Sequence, residues 1–295
     1  MKLIERSVCP ICDSGNIKPY EKGSFNPESI QSDDLKITDS HYGSRWCFFR
    51  CQECSFVFSN PTISESELTT LYEQLEDQEY SLELEGRSRN FLTILKRLDK
   101  IDKPGNRLLD IGAASGIFLH LAQELGYEVE GIEPSAYLVQ EAKNLFNLTM
   151  FQGTIDQFKG DKKYSVITLL DIIEHLADPR LFMKQLVTLM EDQGILVLVT
   201  PDINSLAVRV FGKRWWHYRI AHLNFFNKKS ITRLLRQNGF QIIKIHRYAW
   251  HFSAFYLLTR LFPGLKQKKS LQKMLKKVNL KLQLFDSWEI YARKD

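Results

Sequence analysis

Five cysteines lie within the first 54 residues of a 295-residue chain, and four of them form two C-x-x-C pairs, Cys9-Pro10-Ile11-Cys12 and Cys51-Gln52-Glu53-Cys54. Each pair can offer two thiolates from a tight turn to one tetrahedral ion. Asp13-Ser14-Gly15 and Ser55 follow the pairs and suit such knuckles. Cys9, Cys12, Cys51 and Cys54 therefore read as a structural zinc site. Four thiolates leave no open coordination position, so this ion is expected to fold a module and not to catalyse. The alternative is four reduced structural thiols or a redox pair. A redox pair is expected near a βαβ unit, which surrounds neither motif. The gap between the pairs holds Gly23, Pro27 and Gly43 and reads as a loop inserted between two hairpins. Cys47 is expected to be a small buried hydrophobe on a strand over Arg45–Arg50.

A second chemical signal is the turn Asp110-x-Gly112-x-Ala114-x-Gly116. Small residues let a backbone approach a ligand closely. The turn follows the apolar segment Arg107–Ile111, and the next apolar segment, Glu128–Ile132, ends on the acid Glu133. Gly112 and Gly116 are four apart, which does not fit the G-x-G-x-x-G dinucleotide fingerprint. No G-x-x-x-x-G-K-[ST] phosphate loop is present.

These residues need elements to hold them. Strands are expected at Arg107–Ile111, Glu128–Ile132, Leu148–Gln152, Tyr164–Leu170, Ile195–Val199 and Gln241–His246, with a last antiparallel strand at Ser287–Ala292. Helices are expected at Ile117–Leu125, Ser135–Asn144, Pro179–Leu189 and Ser230–Asn238. Ser135 reads as an N-cap, Asp178-Pro179 as a helix start, and Gly126 and Gly239 as stops. Strands alternating with helices imply an α/β fold, a mostly parallel Rossmann-like sheet of seven strands with helices on both faces. Ligands of such sheets bind beyond the carboxyl ends of the strands.

Leu108-Leu109-Asp110-Ile111-Gly112-Ala113-Ala114-Ser115-Gly116 resembles the first motif of class I S-adenosylmethionine-dependent methyltransferases. That resemblance implies that the turn with Asp110, Gly112, Ala114 and Gly116 carries the amino acid end of the cofactor. It implies that Glu133, followed by Pro134, accepts from both ribose hydroxyls, and that Thr154 and Ile155 flank the adenine. Ala114 stands where glycine is usual. Asp171-Ile172-Ile173-Glu174-His175-Leu176-Ala177-Asp178-Pro179 resembles the post-strand-four motif of the ubiquinone O-methyltransferase group, with Asp171 facing the methionine end. The cysteine ribbon, Thr200-Pro201-Asp202, Gly212-Lys213-Arg214-Trp215-Trp216 and His222-Leu223-Asn224-Phe225-Phe226 are together similar to zinc-ribbon methyltransferases of sugar and polysaccharide biosynthesis. The methyltransferase resemblance covers about residues 100 to 250 and the last strand.

Methyl transfer from a sulfonium is an in-line displacement, so the enzyme must align the acceptor and often remove its proton. His222 lies after the fifth strand, where this fold places acceptor-side residues, and is the first candidate for general base. His175 is the second, and Glu174 could orient either histidine or hold a divalent ion. Trp215, Trp216 and Tyr218 are candidates for the acceptor wall, His217 for a surface or lid position, and Arg87 and Arg89 for holding an anionic acceptor.

Charge points to a similar acceptor. The net charge is only +5, yet Ile203 to Phe285 holds 18 Lys or Arg and no Asp or Glu. The remainder carries 22 basic and 35 acidic residues. A basic region on an acidic body suggests an anionic partner. Lysines and apolar residues alternate from Lys266 to Lys281 in a pattern that reads as a basic amphipathic helix, after an apolar stretch from Trp250 to Phe262. That segment is expected to cover the active site or, alternatively, to touch an acidic membrane.

The expected organisation is a zinc ribbon over 1–61, a helical connector or lid over 62–100 and a methyltransferase domain over 101–295 with a basic insertion at about 250–285. The expected cofactors are S-adenosylmethionine and a structural zinc ion. The expected reaction is O- or C-methylation of a small anionic acceptor such as a nucleotide-linked sugar. The rivals are an RNA methyltransferase and a cofactor-binding scaffold without chemistry. No apolar run nears the roughly 20 residues of a membrane helix, and Met1–Arg6 begins no long apolar stretch, so a cytoplasmic setting is expected.

Overall fold

The structure, a computed structural model, describes residues 2–36, 38, 42–261, 275 and 278–295. In chain order its strands and helices are β1 (Leu3–Ile4), β2 (Ile17–Glu21), β3 (Phe48–Cys51), β4 (Val57–Ser59), β5 (Thr62–Ile63), α1 (Glu65–Glu73), α2 (Leu84–Leu98), β6 (Arg107–Ile111), α3 (Ile117–Glu124), β7 (Glu128–Glu133), α4 (Ala136–Phe146) and β8 (Phe151–Gln152). They continue as β9 (Tyr164–Leu170), α5 (Pro179–Leu189), β10 (Met190–Pro201), α6 (Leu206–Phe211), β11 (Asn224–Phe225), α7 (Lys228–Gln237), β12 (Phe240–Arg247), β13 (Trp250–Ser253), α8 (Ala254–Leu261), β14 (Asn279–Leu282) and β15 (Ser287–Lys294).

Among the described residues, seven strands form the main sheet in the order β12-β15-β10-β9-β6-β7-β8. β10, β9, β6, β7 and β8 run parallel, and β15 is antiparallel to both neighbours, β10 and β12. This is the Rossmann-like sheet that the alternation of strand and helix implies. The central strands are largely apolar because helices cover both faces. Leu108, Leu109, Val166, Ile167 and Leu196 to Val199 are almost wholly buried.

Local signals set the helix ends. Ser135 caps α4 by accepting from Leu138 N. Asp178 accepts from Arg180 N and Leu181 N, with Pro179 in the first turn of α5. α7 begins two residues before Ser230, because Asn227 and Ser230 form a reciprocal capping box.

Four expectations are corrected. The third strand pairs only at Phe151 and Gln152, because Leu148 and Met150 turn into the core under α3 and α4. The fifth strand extends over Met190–Pro201 with a register shift between Met190 and Ile195, because β15 pairs along it as far as Pro201. Cys47 is exposed and precedes β3; its Sγ accepts from Gly23 N at 3.2 Å. Asn279–Leu282, at the end of the expected basic helix, is a strand paired antiparallel with β13. Residues 262–274, 276 and 277, which hold most of that helix, lie outside the described residues.

The ribbon sheet has the order β11-β4-β3-β2. Its edge strand β11 comes from the far end of the chain, pairing Asn224 with Phe58 and Phe225 with Val57. Asn227 Nδ2 donates to Ser55 O at 2.6 Å, and Phe56 stacks obliquely on Phe226 with ring centroids 4.8 Å apart. The cysteine knuckles and the loop after β10 therefore fold on each other.

Candidate functional site

The turn after β6 is built by tight backbone geometry. Gly112 N and Ala113 N both donate to Ile132 O, at 2.8 and 3.1 Å. Gly112 has φ +76, which strains an L side chain, and a Cβ there would also sit 2.1 Å from Ile172 Cδ1 and displace it, so glycine is favoured. Ala114 also takes a left-handed conformation, φ +47, which an L side chain tolerates with strain. That twist aims Ala114 N at Glu133 Oε2, 2.9 Å away, while Ser135 N donates to Glu133 Oε1 at 2.9 Å. The two N–H groups fix the carboxylate plane and leave further lone pairs for a ligand. Burial pushes the Glu133 carboxyl up to about 7, against the opposing pull of those N–H groups.

Gly112, Ala114, Glu133, Pro134, Thr154, Ile155 and Asp171 all line one cavity of about 900 Å³. This volume lies at the upper end of the range for small-molecule sites. Asp110 and Gly116 do not line it. Asp110 is 3% exposed, lies behind the turn and accepts from Thr168 Oγ1 at 2.5 Å. Gly116 caps α3 with φ +74, and a Cβ there would press on Ala142 and Leu148 at 3.0 Å. Both act by shaping the turn from behind. Asp171 also has positive φ, +57, and burial pushes its carboxyl up to about 6, opposed by the charges of His217 and Arg87.

The segment after β9 and the loop before β11 bring three ionisable side chains together. One ligand atom each from Glu174, His175 and His222 lie within 4.8 Å of one another. The His175 and His222 rings meet edge to face, centroids 4.7 Å apart. Tyr72 OH lies 2.8 Å from His175 Nδ1. Burial pushes the Tyr72 phenol up, so it keeps its proton and donates. His175 Nδ1 then accepts, and the proton of the neutral imidazole sits on Nε2. Burial, helped by Arg219, pushes His175 down to about 3, and pushes His222 well below its ordinary value. Burial drives Glu174 the other way, well up, with Asp171 adding to the effect. Glu174 Oε2 accepts from Thr200 Oγ1 at 3.0 Å, while Glu174 Oε1 and His222 Nδ1 are buried without a hydrogen-bond partner. Two buried, unsatisfied atoms beside a cavity are free to meet a ligand. Glu174 O accepts from Leu223 N and Asn224 N at 2.9 and 3.0 Å, which ties the His222 loop to the end of β9.

The other candidates divide. Trp216 lines the cavity, whereas Trp215 and Tyr218 are packed in the core away from it. His217 lines the cavity and is buried, with Nε2 3.2 Å from Asp286, and is not a surface residue. Arg87 lines the cavity with its guanidinium 3.8 Å over the Tyr80 ring, and its Nε is buried without a partner. Arg89 is exposed and paired with Glu85 at 3.0 Å, outside the cavity lining. Sequence reading missed Tyr72 and Tyr80, which also line it, whereas the apolar stretch from Trp250, expected to cover the site, supplies the stacked pair Trp250–Phe252 to the lining. None carries a motif, and each reaches the site only because α1, the segment before α2, and β13 close over the sheet.

At the other end of the ribbon, Cys9 Sγ and Cys54 Sγ are 3.6 Å apart, Cys12 Sγ and Cys51 Sγ are 3.5 Å apart, and all four lie within 4.8 Å of one another. A tetrahedral ion with Zn–S of about 2.3 Å has S···S edges of about 3.8 Å, so the four sulfurs fit zinc. Asp13 and Ser55, at φ +57 and +60, make the turns that close each knuckle. Arg180 on α5 pairs with Asp13 and fastens the first knuckle to the main sheet's helices.

The family model described as "Methyltransferase domain" matches residues 84–245. The chain is 28% identical over 128 residues to the ubiquinone biosynthesis O-methyltransferase of Rhodopseudomonas palustris (strain HaA2), covering 40% of this chain and 51% of the relative. It is 24% identical over 146 residues to the protein of the same name from Bradyrhizobium diazoefficiens, covering 45% of this chain and 58% of that one. The chain thus spans about half the length of the curated relatives it matches. Among solved structures, a putative methyltransferase from Bacillus halodurans C-125 covers 70% of this chain and 99% of its own, at TM-score 0.51 and 16% identity. A SAM dependent methyltransferase from Archaeoglobus fulgidus covers 74% and 100%, at TM-score 0.51 and 20% identity. At these identities the likeness is one of fold.

Proposed function

The chain belongs to the methyltransferase-domain family, and from that premise we propose that it transfers a methyl group from S-adenosylmethionine to a small anionic acceptor such as a nucleotide-linked sugar. The observation that carries this reading is one cavity with two chemically different ends. At one end Gly112 and the buttressed Glu133 offer a cofactor cradle; at the other His222, set against the His175 ring, offers a free imidazole nitrogen as proton acceptor. When bound, the cofactor supplies an electrophilic methyl group. The rest is the work of the chain. Glu133 accepts from the ribose hydroxyls, Thr154 and Ile155 flank the base, and His222 takes the acceptor proton. Arg6, Lys36 and Arg219 also reach the cavity and supply positive charge for an anionic acceptor. The direct test is turnover with S-adenosylmethionine against nucleotide sugars, lipid-linked glycan precursors and total RNA, read by mass spectrometry. A single added methyl on a nucleotide sugar supports the reading; transfer to RNA alone overturns the acceptor class.

Glu133 makes cofactor affinity depend on pH. Its carboxyl sits near 7 because it is buried, and only the ionised form offers every lone pair to ribose. Affinity for S-adenosylhomocysteine should therefore weaken as pH falls through 7. Glu133→Gln should flatten that step, and Glu133→Ala should lower affinity about a hundredfold, the worth of two hydrogen bonds to a charged group. Calorimetry across pH checks both; an unchanged profile in Glu133→Gln removes the ribose assignment.

The amino acid end of the cofactor is a zwitterion, and it needs both charges opposite it. Asp171 and Arg87 line the cavity together and act on each other electrostatically. Arg87→Gln should lower affinity for S-adenosylhomocysteine about tenfold, the worth of one charge-assisted hydrogen bond. It should leave 5′-methylthioadenosine, which lacks the amino acid carboxylate, unaffected. Equal losses for both ligands would mean that Arg87 only supports the fold.

A further inference from the structure

The helix α6 turns one face inward and leaves the other to water. Ala207 and Val208 pack into the core. Leu206 and Val210, one turn apart on the same stripe, are 68% and 66% exposed, and Phe211 is 51% exposed. Arg209, Lys213 and Arg214 stand among them, all exposed, with Lys213 Nζ 3.8 Å from Glu21. Large apolar residues grouped on a surface usually mark an interaction site. Here they are ringed by cations in the stretch from Ile203 to Phe285 that has no acidic residue. The Phe211 ring packs 5.2 Å from Trp216, which lines the cavity. Leu284 lines it as well, and the next residue, Phe285, is exposed. The apolar face is therefore continuous with the rim of the cavity.

We propose that this face, Leu206 to Arg214, docks the protein on an anionic lipid bilayer, with Leu206, Val210 and Phe211 at the level of the acyl chains and the three cations among the headgroups. Charge selects the occupant. A two-fold contact with a second copy would set the same three cations against themselves. Nucleic acid would use the cations but gain nothing from Leu206 and Val210. A bilayer with acidic headgroups uses both, and basic residues beside an apolar stripe are the pattern of an interfacial helix. Among the described residues no helix is long and apolar enough to cross a membrane, so the contact is peripheral. The proposal is independent of the reaction above, since vesicle binding is read without turnover.

Flotation of the full chain with vesicles tests it. The protein should bind vesicles of phosphatidylcholine mixed with phosphatidylglycerol and not those of phosphatidylcholine alone, and added salt should release it. Replacing Arg209, Lys213 and Arg214 together by Gln should weaken binding about a hundredfold, at roughly 1 kcal/mol per basic residue. Replacing Leu206, Val210 and Phe211 together by Ser should weaken it at least about tenfold. Both variants should bind S-adenosylhomocysteine as the parent does, which shows that they fold. Three results would overturn the proposal: no binding by the parent chain, binding that survives both sets of substitutions, or sedimentation showing self-association that the serine variant abolishes.

Discussion

His222→Ala is expected to lower kcat by about 10²–10⁴, the contribution of a placed general base, while affinity for S-adenosylhomocysteine stays within about twofold. The geometry gives the reason. His222 Nδ1 is buried without a partner, and its ring meets His175 at 4.7 Å. His175 is held by Tyr72 from α1 and is itself neutral. A histidine pushed down by burial stays unprotonated as pH falls, so it is ready to accept at neutral pH and below. The acid limb of kcat should thus lie well below the ordinary histidine range, whereas the affinity step from Glu133 lies near 7. The same burial makes His222 a weak base on its own. Glu174 shares the cluster, and burial keeps its carboxyl protonated, so its free Oε1 is a neutral hydrogen-bonding group beside the histidines and not a counter-charge. Glu174→Gln, which keeps a neutral hydrogen-bonding group there, should then change kcat little and leave cofactor affinity alone. Full activity in His222→Ala, or an equal loss of cofactor affinity, would dismiss the base.

Removing the metal should have a larger effect by a different route. Metal analysis is expected to find about one zinc per chain. Chelation, or Cys9→Ser with Cys51→Ser, should remove binding free energy of about 10 kcal/mol or more, comparable with the whole stability of a domain. The consequence reaches the active site because the ribbon is not a detached module. Ser59 N donates to Leu223 O at 2.8 Å, β11 pairs with β4, and Asn227 holds Ser55. The loop that carries His222 is suspended between this sheet and Glu174. Metal loss should therefore abolish turnover while the glycine turn, built on β6 and β7, still binds S-adenosylhomocysteine. A metal-free protein with unchanged melting temperature and turnover would sink the zinc reading.

Much of the fold is legible in the chain because its signals are local. Tyr164–Leu170 and Arg107–Ile111 coincide with β9 and β6, since a short apolar run between turn residues has few other solutions. Ser135 and Asp178 cap their helices as their chemistry dictates. The third strand is the instructive difference. Leu148 and Met150 look like strand residues by hydropathy, yet they serve as core contacts for helices, a choice that pattern alone does not encode. Cys47 differs for the same reason: burial depends on what the neighbouring chain covers.

The candidate site divides along the same line. Residue types and spacing by themselves determined the glycine turn, the acid closing the second strand and the two cysteine pairs, because each is made within one turn or one strand–turn–helix unit. Tertiary structure alone decided that Asp110 and Gly116 shape the turn from behind, that Arg87 reaches the cavity and Arg89 does not, and that β11 closes the ribbon. It alone brought Tyr72 to His175 across 103 residues and set His222 against both. Such contacts join segments whose separation along the chain leaves no periodic trace. They form because the apolar faces of α1, β13 and the loop before β11 must be buried over the open ends of the parallel strands, and that burial carries the polar groups with it.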